Sequence, residues 1–318
     1  MVWSVRSAGV TPQLSTTLRT FAADDPGDWT PLVELARAAD DAGLDRLAVS
    51  DHVVFGEHLG AYADPANGGI RGGKQPTGPD GAWLDPITTI ANLTAVTSRV
   101  RFATNILIAA LRRPVVLAKM AATVDVLSGG RLDIGVGVGW QREEYEAAGL
   151  SFDGRGRLLD HTIEVCQTLW GNRTASYQSD ELSFTDIHQM PKPVQPGGVP
   201  IWVSGTVNPR SMDRLARYGS AWIPWGSDAA DVEGGIGRMR AALSERGREW
   251  AEVGVVGNLR AVWGEDDSLD LARTMEAVPR LRGAGVTDFR LATTPPMGYQ
   301  AAVDYFGEVV AAFRTAAS

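Results

Sequence analysis

The chain has 318 residues, 44% hydrophobic and 21% charged, enough to bury a large core as an ordinary globular α/β protein. Its net charge of −8, from 30 basic against 38 acidic residues, disfavours nucleic acid or an anionic membrane as the main partner, because both need a basic footprint. The single cysteine, Cys166, excludes a disulfide framework and a multi-cysteine metal site and fits a reducing compartment.

The opening stretch MVWSVRSAGVTP lacks a basic-then-apolar leader, and no apolar run of about 18 residues occurs, so a cytoplasmic protein is expected. Val2 to Val10 reads as a first strand. Thr30-Pro31 has the form of an N-cap followed by proline at the first helical position, and Gly43 stops the apolar stripe that follows. The next strand, Leu47 to Ser50, ends at Asp51-His52. Strands also fit Val100–Ile108, Pro200–Ser204 and Val253–Trp263. A helix–glycine–strand phrase recurs three times. Helix Pro114–Leu127 stops at Gly129-Gly130 before Leu132–Gly137. A helix around Met212–Tyr218 stops at Gly219 before Ala221–Trp225, and one around Leu271–Arg282 stops before Phe289–Ala292. A last helix lies near Tyr299–Phe313.

Eight strands in βα alternation over this length argue for a closed (β/α)8 TIM barrel, one domain over residues 1–318 with insertions. A doubly wound sheet would make Gly135-Val-Gly137-Val-Gly139-Trp140 a dinucleotide fingerprint. Trp140, however, stands where GxGxxG needs glycine, and three strands precede the motif. Two insertions interrupt the pattern. Residues 55–83 hold eight glycines and three prolines and follow the second strand, which places them on the active face as a lid or substrate wall. Residues 174–200 read as a hairpin after a helix, decorating the opposite face.

With Ser50-Asp-His52, Trp83-Leu-Asp-Pro86, Ser98 to Asn105, Arg113 to Lys119, Leu127 to Arg131, Gly135 to Trp140, Glu143-Glu144-Tyr145, Pro191 to Gln195 and Pro200 to Val203 in that order, the chain resembles the luciferase-like monooxygenase superfamily. These are TIM barrels that use FMN or the deazaflavin coenzyme F420. The Asp51-to-Phe55 phrase, the long Gly/Pro loop and the Trp83-to-Pro86 phrase are most similar to an F420-dependent oxidoreductase subgroup.

The resemblance implies a site at the strand ends. His52 would lie near the reacting face of the ring and donate a proton, with Asp51 orienting it. The other reading of His52 is a residue that merely closes a barrel layer. Asn105-Ile106 aligns with the family's non-prolyl cis peptide, a bulge behind the ring. Val136, Gly137, Val138 and Gly139 would hold the coenzyme's side chain through backbone N–H groups, with Ser204-Gly205-Thr206 as a second such loop. Arg112 would meet an anionic tail, or simply begin a solvated helix.

In the family's sugar-phosphate dehydrogenases a glutamate follows the third glycine. Trp140 stands there instead, so that oxidation is not expected. Trp83, Trp140 and Trp225 suggest an aromatic substrate pocket, unless they are core packing, and Glu57 is a spare acid–base group. No metal is expected, since His52 and His58 lack zincin spacing. The expected activity is F420-dependent hydride transfer, most readily reduction of an activated C=C or C=N bond. An FMN-dependent monooxygenase is the first alternative. A non-catalytic carrier, favoured by an open mouth with no wall from residues 55–83, is the second. The resemblance also implies a homodimer.

Overall fold

The computed structural model describes residues 11–318. Eight parallel strands form a closed barrel: β1 Gln13–Thr17, β2 Arg46–Val49, β3 Arg101–Thr104, β4 Leu132–Val136, β5 Ile201–Gly205, β6 Ala221–Pro224, β7 Gly254–Leu259 and β8 Asp288–Leu291. Each strand pairs with its sequence neighbour and β8 returns to β1, the order a right-handed βα chain dictates. Seven of these strands fall on apolar runs of the sequence. The expected strand Val2–Val10 lies outside the described residues, and the first barrel position is filled by the polar stretch Gln13–Thr17.

Strand alternation sorts the side chains. Leu14, Leu47, Phe102, Leu132, Ile134, Val203, Val255 and Phe289 turn outward to meet the helices in the main core. The interior carries a small apolar cluster of Ala103, Trp202, Ala221, Ile223 and Val256, with Ile106 against it. Below it is a buried ionic layer in which Arg46 pairs with Asp133 and Asp288 and lies 4.5 Å over the Trp202 ring.

The long outer helices are Thr30–Asp41, Pro86–Thr94, Pro114–Ser128, Arg155–Gly171, Pro209–Tyr218, Val232–Glu245 and Tyr299–Ala317. Two helix expectations need correction. The first helix begins at Thr30 itself, so Thr30 is not its cap. Trp29 holds that place without a side-chain bond. The helix expected over Leu271–Arg282 is broken into Leu271–Met275 and Val278–Ala284. Pro279 lacks an N–H and disfavours the helical continuation before it. Helix Pro209–Tyr218 is capped by Asn208, whose side chain accepts from the Ser211 amide at 3.1 Å.

Residues 174–200 do contain a hairpin, Ala175–Gln178 with Ser183–Ile187. Gln195 beyond it accepts from Arg101 at the start of β3, so this insertion sits at the barrel end opposite the mouth.

Candidate active site

The C-terminal ends of the strands open beneath residues 55–83, which fold over them. Tyr62 meets Trp140 edge-on at 5.4 Å, and Trp225 donates from Nε1 to the Gly68 carbonyl at 3.1 Å. Gln141 fastens the base of the same segment, accepting from the Gly56 amide at 2.9 Å and donating to the Val54 carbonyl at 3.1 Å. Trp83 belongs to a two-residue ribbon, Ala82–Trp83 against Phe21–Ala22, and stacks on Phe21 at 4.2 Å. The segment is therefore a wall of the mouth rather than a loose excursion.

His52 stands inside that wall. Its ring lies 4.5 Å from Phe55, 4.8 Å from Trp83 and 5.9 Å from Trp140. Its Nδ1 is 3.2 Å from Oε1 of Glu144, a carboxylate with no exposed side-chain surface, and the same oxygen accepts the Val53 amide at 2.8 Å. A carboxylate only accepts, so this contact places the proton on Nδ1 and leaves Nε2 as the nitrogen for chemistry.

Asp51 does not orient His52. Its two oxygens accept from Arg112 at 2.7 and 2.9 Å, and one of them also accepts the Ile108 amide at 2.8 Å. Arg112 also reaches Asp85 at 2.8 Å, which itself caps helix Pro86–Thr94 through the Thr88 amide. Burial works against the Arg112 charge, but the bonds and charges of Asp51 and Asp85 outweigh it and raise its pKa. Arg112 is thus already neutralised by two carboxylates and is not the free cation that an anionic tail would need. The pair fixes the strand end that carries His52.

The Asn105-Ile106 bond is cis, as the resemblance implies. The side chain of Ile106 fills the space against Gly137, where an added Cβ would lie 2.8 Å from Ile106 Cδ1. After β4, Gly139 has φ +67°, and Tyr145 Oη donates to the Val138 carbonyl at 2.7 Å. Among the described residues the amides of Val138 and Gly139 donate to no protein group. At the end of β5, Ser204, Gly205 and the following Thr206 are half-buried, and the Thr206 carbonyl accepts from Ser211 Oγ at 2.5 Å. These amides and hydroxyls suit an uncharged polar chain better than a metal ion.

Of the residues singled out by sequence, His52, Trp83, Trp140 and Trp225 come together at the mouth. Glu57 is exposed. Sequence reasoning passed over Glu144, Tyr62, Phe55 and Gln141. The phase of helix Arg142–Ala147 held a signal for the first: Glu144 and Tyr145 are its buried face, whereas Glu146 is exposed.

The described residues thus form a closed parallel barrel with an aromatic wall and a carboxylate-held histidine at its strand ends. The chain belongs to the luciferase-like monooxygenase family, whose model matches residues 9–282. It is 30% identical over 278 residues to the uncharacterized protein Rv0940c of Mycobacterium tuberculosis, covering 85% of this chain and 88% of that one. Among solved structures it is similar to an F420-dependent secondary alcohol dehydrogenase in complex with an F420-acetone adduct (TM-score 0.71, 17% identity, 96% of this chain and 99% of that one). It is also similar to the monooxygenase RslO1 from Streptomyces bottropensis (TM-score 0.69, 20% identity, 94% and 98%). Among the described residues no helix is long and apolar enough to cross a membrane.

Proposed function

We propose that this protein is a cytoplasmic F420-dependent oxidoreductase that moves a hydride between the deazaflavin and an organic substrate, most readily reducing an activated C=C or C=N bond. The observation that carries the reading is His52, held at Nδ1 by buried Glu144 and walled by Phe55, Trp83 and Trp140. When bound, the deazaflavin supplies a two-electron hydride donor or acceptor. Val138 and Gly139 would hold its chain by their amides, assisted by Ser204, Gly205 and Thr206. Ile106, pressed against Gly137, would back the ring.

The remaining chemistry belongs to the chain. In its doubly protonated form His52 delivers the Nε2 proton to the substrate atom beside the one reduced, and the neutral ring that remains keeps its Nδ1 proton hydrogen-bonded to Glu144. Trp83, Trp140 and Tyr62 exclude water and give the substrate an apolar wall. This wall favours an enzyme over a barrel that merely stores a coenzyme. With Trp140 after the third glycine, the site offers no carboxylate there for sugar-phosphate oxidation.

The second reading is an FMN-dependent monooxygenase on the same barrel, which the likeness to RslO1 supports. Titrating apo-protein with F420 and with FMN separates the two. Tight FMN binding with none for F420 reverses the order. His52→Ala is expected to lower turnover by about 10²–10⁴-fold while coenzyme affinity holds. Normal turnover of that variant would remove His52 from the mechanism.

A further inference from the structure

The barrel interior holds a buried guanidinium, Arg290, two of whose nitrogens have no hydrogen-bond partner among the described residues. Arg290 is the third residue of β8, between Phe289 and Leu291, which are both buried in the outer core. Alternation turns Arg290 inward, where it is 4% exposed. The carboxylates of the interior ionic layer are engaged elsewhere. Asp288 accepts Ser15 Oγ at 2.5 Å and pairs with Arg46, while Asp133 is shared by Arg46 and Arg101. Burial lowers the pKa of Arg290. Nearby Asp288 partly opposes this, and Arg46 adds to it.

Its Nε and Nη2 are buried and have no hydrogen-bond partner among the described residues. Those two nitrogens share one edge of the guanidinium. Their N–H bonds run side by side, the arrangement that receives a planar oxyanion through two parallel bonds. A buried guanidinium edge left without acceptors is costly, by more than an ordinary hydrogen bond contributes, and so calls for a partner that the described residues do not supply. The way in is from the mouth. Asn258 on β7 is in register with Arg290 and faces the same way, two residues beyond inward-facing Val256, and it is exposed.

We infer that Arg290 is an anion fork at the floor of the barrel mouth and that the molecules this protein binds include one with a planar, singly charged carboxylate-type edge. Above it the aromatic wall at His52 suits a flat, unsaturated body, so the substrate class is a flat unsaturated or aromatic carboxylate. The inference rests on the proposed function only for what is done to that molecule. The same edge chemistry has two sources: a substrate carboxylate, or the anionic ring edge of the reduced coenzyme.

The test is a titration of intact apo-protein with sodium benzoate and with benzamide, its neutral counterpart, at fixed ionic strength. Binding is read by tryptophan fluorescence and by the shift in thermal midpoint. Benzoate is expected to bind at least about tenfold more tightly than benzamide. Arg290→Met should erase that preference and leave benzamide affinity unchanged, while Arg290→Lys, a charge without a fork, should restore only part of it. Equal affinities in the wild-type protein overturn the inference, and this comparison stands even if Arg290→Met fails to fold. A preference that survives in Arg290→Met overturns it as well.

Repeating the titration on protein saturated with reduced coenzyme assigns the source. A preference that persists belongs to substrate, and one that vanishes on loading belongs to the coenzyme ring. Because the first titration needs no coenzyme, its failure is distinct from a failure of the F420 reading.

Discussion

Asp51→Asn separates a structural carboxylate from a catalytic one. Asp51 has no exposed side-chain surface and accepts three hydrogen bonds, two from Arg112 and one from the Ile108 amide. Asparagine keeps one acceptor oxygen but sets an N–H₂ against a guanidinium and removes the charge. Arg112 is then left with Asp85, whose side chain is 40% exposed and contributes less. Breaking a buried ion pair from one side costs about 3–5 kcal/mol. Unfolding entropy of about 2.1 cal/mol/K per residue gives a chain of this size roughly 0.7 kcal/mol/K, so the thermal midpoint should fall by roughly 4–7 °C. Differential scanning calorimetry of wild type and variant reads this directly. A midpoint within about 1 °C of wild type, together with lost turnover, would refute the structural role and return Asp51 to the partnership with His52.

Two further outcomes follow from packing. Gly135→Ala would set a Cβ 2.1 Å from the Thr104 carbonyl oxygen, which is backbone and cannot yield, so a loss of at least about 3 kcal/mol is expected in urea unfolding. Gly137→Ala meets only the side chain of Ile106, 2.8 Å from Cδ1 and 2.9 Å from Cγ1. It should cost less stability and should weaken coenzyme binding instead, and equal destabilisation by the two would contradict the assignment. For Cys166, burial pushes the thiol from its ordinary 9.0 up to about 12. The native state keeps the proton that the unfolded chain releases, so this part of the stability is complete below pH 9 and lost as the pH climbs to about 12. Cys166→Ala should flatten the fall of unfolding free energy over that window. The native thiol should resist alkylation at pH 8 and react once denaturant is added.

The strands that the sequence made legible are those with an apolar outer face and a glycine stop before them, such as Leu132–Val136 after Gly129-Gly130. β1 escaped because its inward residues, Gln13, Ser15 and Thr17, are polar, and only Leu14 carries a strong apolar signal. Side-chain types at the mouth were legible too, since His52, Trp83, Trp140 and Trp225 sit at strand ends or in the lid. Partnerships were not. Asp51 is adjacent to His52 in the chain, yet it is Glu144, 92 residues on, that faces the imidazole, because Arg112 and the Ile108 amide claim Asp51 first. Charge pairing across a closed barrel depends on which side chains the curvature brings together, and local spacing carries no record of it. Arg290 escaped for the same reason: its isolation appears only once Asp133 and Asp288 are seen to be engaged.

The glycine spacing at the end of β4 has a physical cause in strand geometry rather than in phosphate binding. Gly135, Gly137 and Gly139 are two residues apart, the repeat of one face of an extended chain. Their absent side chains face successive features of the neighbouring segment at the same interval: the Thr104 carbonyl, the Ile106 side chain and the Ile108 side chain. The parallel pairing continues past β3, with Leu107 bridging to Val136 and the Gly137 amide donating to the Leu107 carbonyl at 3.2 Å. Side chains at Gly135 and Gly137 would therefore collide with the very turn that carries Ile106 to the mouth, and at Gly139 the positive φ of +67° disfavours one. The motif is the complement of that turn, which is why it ends where the crowding ends. At Trp140 the run of glycines stops, and the large ring packs under Tyr62 to build the wall.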